Sequence, residues 1–174
     1  MKVFQDVFTN DEVMSDIFDF TLEYEGAIMK VPSAYKNKED VGNVDIGCGN
    51  AFGGDEEDGG VEGQQSVQVI NVVFNSNLVE TNYSIEDFTT AIKAYFKKLT
   101  VFLKENGRDD RVKGFQTGAA EFFKFVKQKF DEFTFYTGSS ESEEGTIICS
   151  YWEKEDAAGP VFFFFKDGLK EIKC

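Results

Sequence analysis

The chain has no histidine among its 174 residues. Serine and cysteine nucleophiles are usually activated by a neighbouring histidine, so Ser-His-Asp and Cys-His relays are excluded. The three cysteines, at positions 48, 149 and 174, form no CxxC pair and are too few for the four ligands of a common structural zinc site. The composition therefore predicts a protein that is not an enzyme and has no zinc site.

Long apolar runs are also missing. Residues 1–6 hold no apolar core of signal-peptide length, and nowhere do 18 uncharged apolar residues follow one another. We therefore expect a cytoplasmic chain with no membrane span. Cys149, in a strand-like segment beside isoleucines, is expected to fill core. Cys174 is expected either to stay reduced, leaving a monomer, or to link two copies when oxidised.

Basic residues are absent from residues 42–65, which hold eight glycines and six carboxylates. Ordering glycine costs extra backbone entropy, and like charges repel when they are brought together. We predict a mobile acidic loop over about residues 37–65. Only about 40 residues precede this loop, near the lower limit for an independent domain. A single domain over residues 1–174 is therefore favoured over two domains joined by a linker.

Short β-rich segments lie on both sides of this loop. They alternate in polarity or are β-branched and aromatic, and turn residues bound them. The predicted strands cover residues 2–8, 20–31 (a hairpin that turns at residues 25–26), 66–74, 133–137, 146–152 and 161–165. The last contains four consecutive phenylalanines, so it is either buried on both faces or exposes two aromatic rings.

Between residues 84 and 130 the apolar residues recur every three or four positions, which predicts amphipathic helices. The first helix is expected to begin after the N-cap Ser84 and to end at Gly107. The second is expected to be capped by Asp109 or Asp110. Because few residues separate them, the two helices must form an antiparallel hairpin.

Three residues of the second helix break its regular pattern. Gly114 and Gly118 lie in the interior, where each glycine costs roughly 1 kcal/mol relative to alanine. They predict weaker packing or a local bend in the first two turns. Phe125 lies away from the apolar stripe, so it either contacts a partner as an exposed aromatic or packs under the sheet.

The predicted hairpin is opposite in charge to the remaining chain. Residues 84–130 hold ten Lys or Arg against six Asp or Glu, whereas the other residues hold 8 against 26. Such an arm suits acidic protein surfaces, although lysine-rich helices also serve solubility alone. The net charge of −14 argues against nucleic acid as a partner. The lysines expected to point to water and contact an acidic partner are Lys93, Lys97, Lys104, Lys113, Lys124 and Lys127.

Five parts of the sequence resemble one known family when their order and spacing are taken together. They are DVFTNDE at residues 6–12, IG at residues 46–47 in the acidic loop, NVVFN and LVET within residues 71–81, RVKGFQTGAAE at residues 111–121, and FFKDGLKEIKC at residues 164–174. The family is that of the translationally controlled tumour protein, and the resemblance runs from end to end.

The resemblance implies an α+β fold that is mainly β. It consists of a twisted β-tent, similar to that of Rab exchange factors and methionine sulfoxide reductases, with a projecting antiparallel helical hairpin and a long mobile acidic loop. The resemblance also implies a cytoplasmic protein that binds calcium and tubulin, promotes growth and survival, and has been proposed to act on the small GTPase Rheb. It brings no established catalytic centre.

For calcium, the candidate ligands are four consecutive acids, Asp55, Glu56, Glu57 and Asp58. Counted from Asp55, the EF-hand pattern fails because Ser66 stands where the twelfth position requires Glu. A flexible site of this kind must lose entropy on chelation, so its dissociation constant is expected at about 10⁻⁴ to 10⁻³ M. The alternative is that these acids only keep the loop solvated.

For a small GTPase, the groove proposed for the family aligns with Glu12, Phe74 and the pair Gly138-Ser139. The family has a glutamate where this chain has Ser139, and loss of that carboxylate weakens the case for an exchange factor. Glu12 also fits an ordinary surface turn after the first strand. A GTPase regulator, as exchange factor or chaperone, is therefore the alternative to a non-catalytic binding protein.

Overall fold

The computed structural model describes residues 2–37 and 67–173. Its strands are β1 (Lys2–Asp6), β2 (Glu12–Ser15), β3 (Thr21–Glu23), β4 (Ile28–Pro32), β5 (Tyr35–Asn37), β6 (Gln68–Ile70), β7 (Val79–Thr81), β8 (Phe133–Thr137), β9 (Ile148–Tyr151), β10 (Val161–Phe165) and β11 (Leu169–Lys173). Its helices are α1 (Asn71–Ser76), α2 (Ile85–Glu105) and α3 (Asp109–Gln128), with 3-10 turns at Phe130–Glu132 and Lys166–Gly168.

A six-stranded sheet forms the middle layer, in the order β3-β4-β10-β9-β8-β7, and all its neighbouring strands are antiparallel. A second sheet, β11-β1-β2, and α1 cover one face. The helix pair α2–α3 covers the other face. A two-stranded ribbon, β5-β6, leads into and out of residues 38–66. The expected α+β fold, mainly β with an antiparallel helical hairpin, is confirmed.

The phenylalanine-rich strand β10 is buried on both faces. Phe163 and Phe165 point into the core that the helix pair closes. Phe162 and Phe164 point into the core under the three-stranded sheet. All four side chains are at most 3% exposed, which decides between the two alternatives that the sequence left open.

The helix ends agree with the sequence for α2 and differ for α3. Ser84 Oγ accepts a hydrogen bond from the Asp87 amide at 3.0 Å, and Gly107 has the left-handed φ of 72° that ends the first helix. The predicted aspartate cap of α3 is wrong, because Arg108 is the N-cap residue and its side chain makes no capping bond. Both aspartates lie in the first turn instead, where the helix dipole favours negative charge.

The predicted strand over residues 66–74 is only partly correct. Strand β6 ends at Ile70, and the six-residue helix α1 follows. Asn71 starts this turn, since its Oδ1 accepts from the Val72 amide at 2.8 Å and from the Ala34 amide at 3.0 Å. A helix this short shows no 3.6-residue period, and its valines have the composition of a strand.

Close packing at Gly118 corrects the expectation that this glycine weakens the packing of α3. Gly118 is buried, and a Cβ there would collide with the carbonyl oxygen of Tyr24 and lie 3.0 Å from the Ala27 Cβ. The glycine therefore lets the helix approach the turn between β3 and β4. Glycine has a low helix propensity, but at this position its lack of a side chain allows tight tertiary contact.

A bidentate ion pair fastens the same helix to the end of β10. Arg111 Nε donates to Asp167 Oδ1 at 2.8 Å, and a terminal guanidinium nitrogen donates to Oδ2 at 2.9 Å. The other terminal nitrogen lies 3.3 Å from the Glu25 carbonyl oxygen. Asp167 is 6% exposed, so this pair is shielded from water on one side and has the fork geometry that makes such bonds strong.

Replacing Gly118 by alanine tests this close approach. We expect Gly118→Ala to lower the free energy of unfolding by about 2 kcal/mol, because the new methyl group can be accommodated only by moving the helix or the Tyr24 backbone. The measurement is urea unfolding followed by circular dichroism. The matched control is Gly114→Ala, whose Cβ would lie 3.0 Å from the terminal guanidinium nitrogen of Arg111 that is not part of the Asp167 pair, a contact that a small shift of that side chain relieves. The control should change stability by less than about 1 kcal/mol, and equal losses at both positions would contradict the explanation.

Candidate functional site

The outer face of the helix pair carries the lysines that the sequence singled out. All six are exposed, and they form no ion pair within residues 2–37 and 67–173. Because a helix turns about 100° per residue, the three lysines of each helix share one stripe directed away from the buried side chains. These stripes are Lys93, Lys97 and Lys104 on α2, and Lys113, Lys124 and Lys127 on α3.

A shallow groove of about 420 Å³ lies at this face, with walls from both helices; we call it the hairpin groove. Two predicted lysines, Lys97 and Lys104, line it beside Val101, which is 46% exposed. Phe115 lies below them in the core. The remaining lining residues are Phe96, Thr100 and Gln116. The groove thus combines positive charge with an apolar floor.

Lys98, which the sequence analysis did not select, is bound within the fold. Its Nζ lies 2.7 Å from Glu144 Oε1 and 2.8 Å from the Glu144 carbonyl oxygen. It also lies 4.3 Å from the centre of the Phe8 ring, a cation–π contact. The hydrogen bond from Lys98 lowers the pKa of the Glu144 carboxyl below its usual value. This lysine therefore holds the loop between β8 and β9 against α2.

Phe125 is half-buried against the sheet. Its ring meets Phe133 and Tyr151 edge-on, at centroid distances of 5.7 and 5.4 Å. The alternative of an exposed aromatic that contacts a partner is therefore wrong for this residue. Such edge-to-face pairs add to the stability of the core that the helices cover.

The three residues aligned with a GTPase-binding groove lie on neighbouring elements. Glu12 is exposed at the start of β2, Ser139 is exposed in the turn after β8, and Phe74 is half-buried on α1. Helix α1 packs against β2. The turn before β2 is joined to the turn after β8, because Asp11 Oδ2 accepts from Ser140 Oγ at 2.6 Å. The fold thus gathers these elements at one end of the molecule.

Two aspartates that the sequence analysis did not select hold this end together. Asp6, 2% exposed, accepts from the Phe8 amide at 2.8 Å and from the Thr146 amide at 2.7 Å. Asp11 holds the other end of the β8–β9 loop, and a Cβ on Gly138 would lie 2.5 Å from its Oδ2. The signal that could have found them is the turn sequence between β1 and β2, which places an aspartate at each end.

Calcium and disulfide candidates lie outside the described residues. Asp55, Glu56, Glu57 and Asp58 fall within residues 38–66, and Cys174 follows residue 173. The calcium site and the intermolecular disulfide therefore stay predictions. In the part of the chain that the structure describes, no three carboxylate or cysteine side chains stand close enough to hold a metal ion. No helix there is long and apolar enough to cross a bilayer.

Comparison with known proteins decides the family. A family model described as translationally controlled tumour protein matches residues 1–170. The chain belongs to this family. It is 38% identical to homolog 1 from Dictyostelium discoideum over 175 residues, which covers 99% of each chain. It is 31% identical to the human protein over 178 residues, which covers 100% of each.

Solved structures of the family have the same fold. The protein p23fyp from Schizosaccharomyces pombe superposes with a TM-score of 0.77 at 28% identity, covering 100% of both chains. The family member from Caenorhabditis elegans superposes with a TM-score of 0.63 at 23% identity, covering 100% of this chain and 99% of the other. The second likeness shows the fold alone.

Cys149 has the properties of a core residue in this family fold. It is fully buried in β9, facing the core beneath the helices. Burial raises the pKa of its thiol well above the usual value, so the nucleophilic thiolate is suppressed. The expectation that Cys149 fills core is confirmed.

The reactivity of Cys149 can be measured in a chain with Cys48→Ser and Cys174→Ser. We expect the native protein to react with a disulfide reagent at least about 100-fold more slowly than the same chain unfolded in guanidinium. Because the thiol pKa is raised, moving from pH 7 to pH 9 should speed the reaction of the unfolded chain while the native rate stays low. Rapid labelling of the native protein at pH 7 would show that Cys149 is accessible after all.

Proposed function

We propose that this chain is a non-catalytic cytoplasmic binding protein whose helix pair contacts acidic protein surfaces, tubulin among them. The observation that carries the proposal is the hairpin groove, in which Lys97 and Lys104 flank the exposed Val101. Regulation of growth and survival, and weak calcium binding by residues 55–58, are proposed from the family.

Two kinds of interaction in the hairpin groove would stabilise the binding of an acidic partner. Lysines that make no ion pair within the described residues can pair with partner carboxylates without first breaking a contact in the fold. The apolar strip between them adds burial, which contributes about 25 cal/mol per Å² of area removed from water. A partner with carboxylates alone would form only the ion pairs. The surface therefore favours acidic segments that also carry apolar side chains.

Reversing the charge of the groove tests the tubulin contact. We expect the double variant Lys97→Glu/Lys104→Glu to weaken co-sedimentation with microtubules at least about 10-fold, because attraction becomes repulsion at the centre of the contact. Affinity of the unaltered protein should fall as salt is raised, since exposed charges are screened.

The matched control is Lys36→Glu/Lys154→Glu, which changes net charge equally at two exposed lysines far from the helices in sequence. It should bind within about 2-fold of the unaltered protein, because long-range charge alone contributes less than local pairing. If the control weakens co-sedimentation as strongly as the groove variant, the hairpin groove is not the tubulin contact.

A second candidate function is regulation of a small GTPase. It is favoured by the Asp11–Ser140 contact, which sets the Glu12 turn beside the turn that holds Ser139, with Phe74 on the neighbouring α1. An exposed carboxylate at this end can pair with a cation in a partner's switch region. Ser139 supplies no carboxylate, so the proposal assigns this role to Glu12.

Nucleotide-release kinetics test the GTPase proposal. If the chain is an exchange factor, it accelerates release of a fluorescent GDP analogue from a purified Rheb-type GTPase, and Glu12→Val lowers that acceleration at least about 10-fold by removing a charge-assisted contact. The control Glu155→Val removes an exposed carboxylate from the turn between β9 and β10. No acceleration by the unaltered chain, or equal rates for the two variants, would reject the exchange-factor proposal.

A further inference from the structure

A second and larger groove, of about 690 Å³, lies on a different face of α2 from the lysine stripe. We call it the edge groove. Residues 79–83 form one wall, the β8–β9 loop forms another, and α2 supplies the third. The α2 wall carries the small side chains Thr90, Ala91 and Ala94, which leave the space above it open.

The edge groove is strongly acidic. Its one lysine, Lys98, is already bound to Glu144. The other charged side chains are all carboxylates, and apart from Glu144 none of them forms an ion pair within the described ranges. The acidic residues that line the groove are Glu80, Asp87, Glu141, Glu143 and Glu144.

These acids are arranged for a ligand with distributed charge. No three of them stand close enough together to hold one metal ion, as is true throughout the described part of the chain. They are spread over β7, the first turn of α2 and the β8–β9 loop. A ligand with several separated positive charges, such as a segment with spaced lysines or arginines, matches this spread where a single cation does not.

The wall formed by β7 is an open edge of the six-stranded sheet. β7 pairs with β8 on one side and with no other strand in the described residues. An edge strand presents unpaired backbone N–H and C=O groups, which an extended peptide can pair with as an added strand. An extended ligand therefore fits the open strand edge, and a positively charged ligand fits the acidic side chains.

We propose that the edge groove binds an extended, lysine- or arginine-rich segment of a partner protein, which adds as a strand to β7. The charge of the chain itself excludes its own acidic segment as occupant, because residues 42–65 contain six carboxylates and no Lys or Arg. Because successive side chains of a strand point to opposite faces, the basic side chains at every second position of the added strand would face the acids of the groove.

The test uses the full chain and a fluorescein-labelled ten-residue peptide in which lysine and valine alternate. We expect saturable binding in fluorescence anisotropy, with shifts of the amide signals of residues 79–83 in isotope-labelled protein. Glu141→Lys/Glu143→Lys should weaken binding at least about 10-fold. The matched control Glu155→Lys/Asp156→Lys makes the same charge change outside the groove and should stay within about 2-fold. Equal effects of the two variants would overturn the site.

A second peptide separates strand addition from simple charge attraction. Methylating alternate backbone nitrogens removes the hydrogen-bond donors of one edge and keeps every charge. Because strand addition depends on those donors, one of the two methylation registers should weaken binding at least about 10-fold. Equal binding of both methylated peptides, or amide shifts confined to the helices, would overturn the proposal. Binding that tracks self-association of the chain in sedimentation would assign the groove to a second copy instead.

Discussion

Burial of β10 on both faces is the constraint on which the remaining structure depends. Four consecutive phenylalanines alternate between two cores, and each contributes about 2–3 kcal/mol when it is fully removed from water. Neither face of the central sheet can therefore be left open to solvent. The helix pair cannot move away from the sheet without exposing Phe163 and Phe165, so a partner that bound it as proposed would meet its outer face as a fixed surface.

Polar contacts at the ends of the strands set the register between these layers. Arg111 ties α3 to Asp167 just after β10, and Asp6 and Asp11 tie the β1–β2 turn to both ends of the β8–β9 loop. Breaking the contacts of the buried carboxylates of Asp6 or Asp167 leaves a charge without a partner, which costs more than the contact itself contributes. These contacts lie in the segments that carry the family resemblance, whereas the hairpin groove lies mostly outside them. The segments that carry the resemblance thus predict the fold more directly than they predict the proposed binding surfaces.

Features that depend on interactions between residues close in sequence could be predicted from the sequence, and features that depend on contacts between distant residues could not. Strands β8 and β10 and the start of α2 after Ser84 are determined by local composition and capping, so they are predicted to the residue, whereas α2 ends at Glu105, two residues before the predicted stop at Gly107. Helix α1 is too short to show a period, and the tight packing at Gly118 depends on a turn far away in sequence. The exposure of the lysines follows from the helical period. Phe125 and the edge groove depend on where the sheet lies, which no local pattern reveals.

Helix α2 separates the two candidate surfaces, which are opposite in sign. Its lysine stripe and its edge-groove face lie about 100° apart around the helix axis, close enough for opposite charges to weaken each other. Lys98 is the one basic side chain on the groove side, and its bond to Glu144 keeps it from competing for a ligand there. Because this bond lowers the pKa of Glu144, the pair is intact at neutral pH and is lost only as the pH falls through that lowered value. At physiological pH Glu144 therefore still neutralises Lys98, so the edge groove stays acidic while the lysine stripe stays basic, and the two proposed partners would meet surfaces of opposite sign.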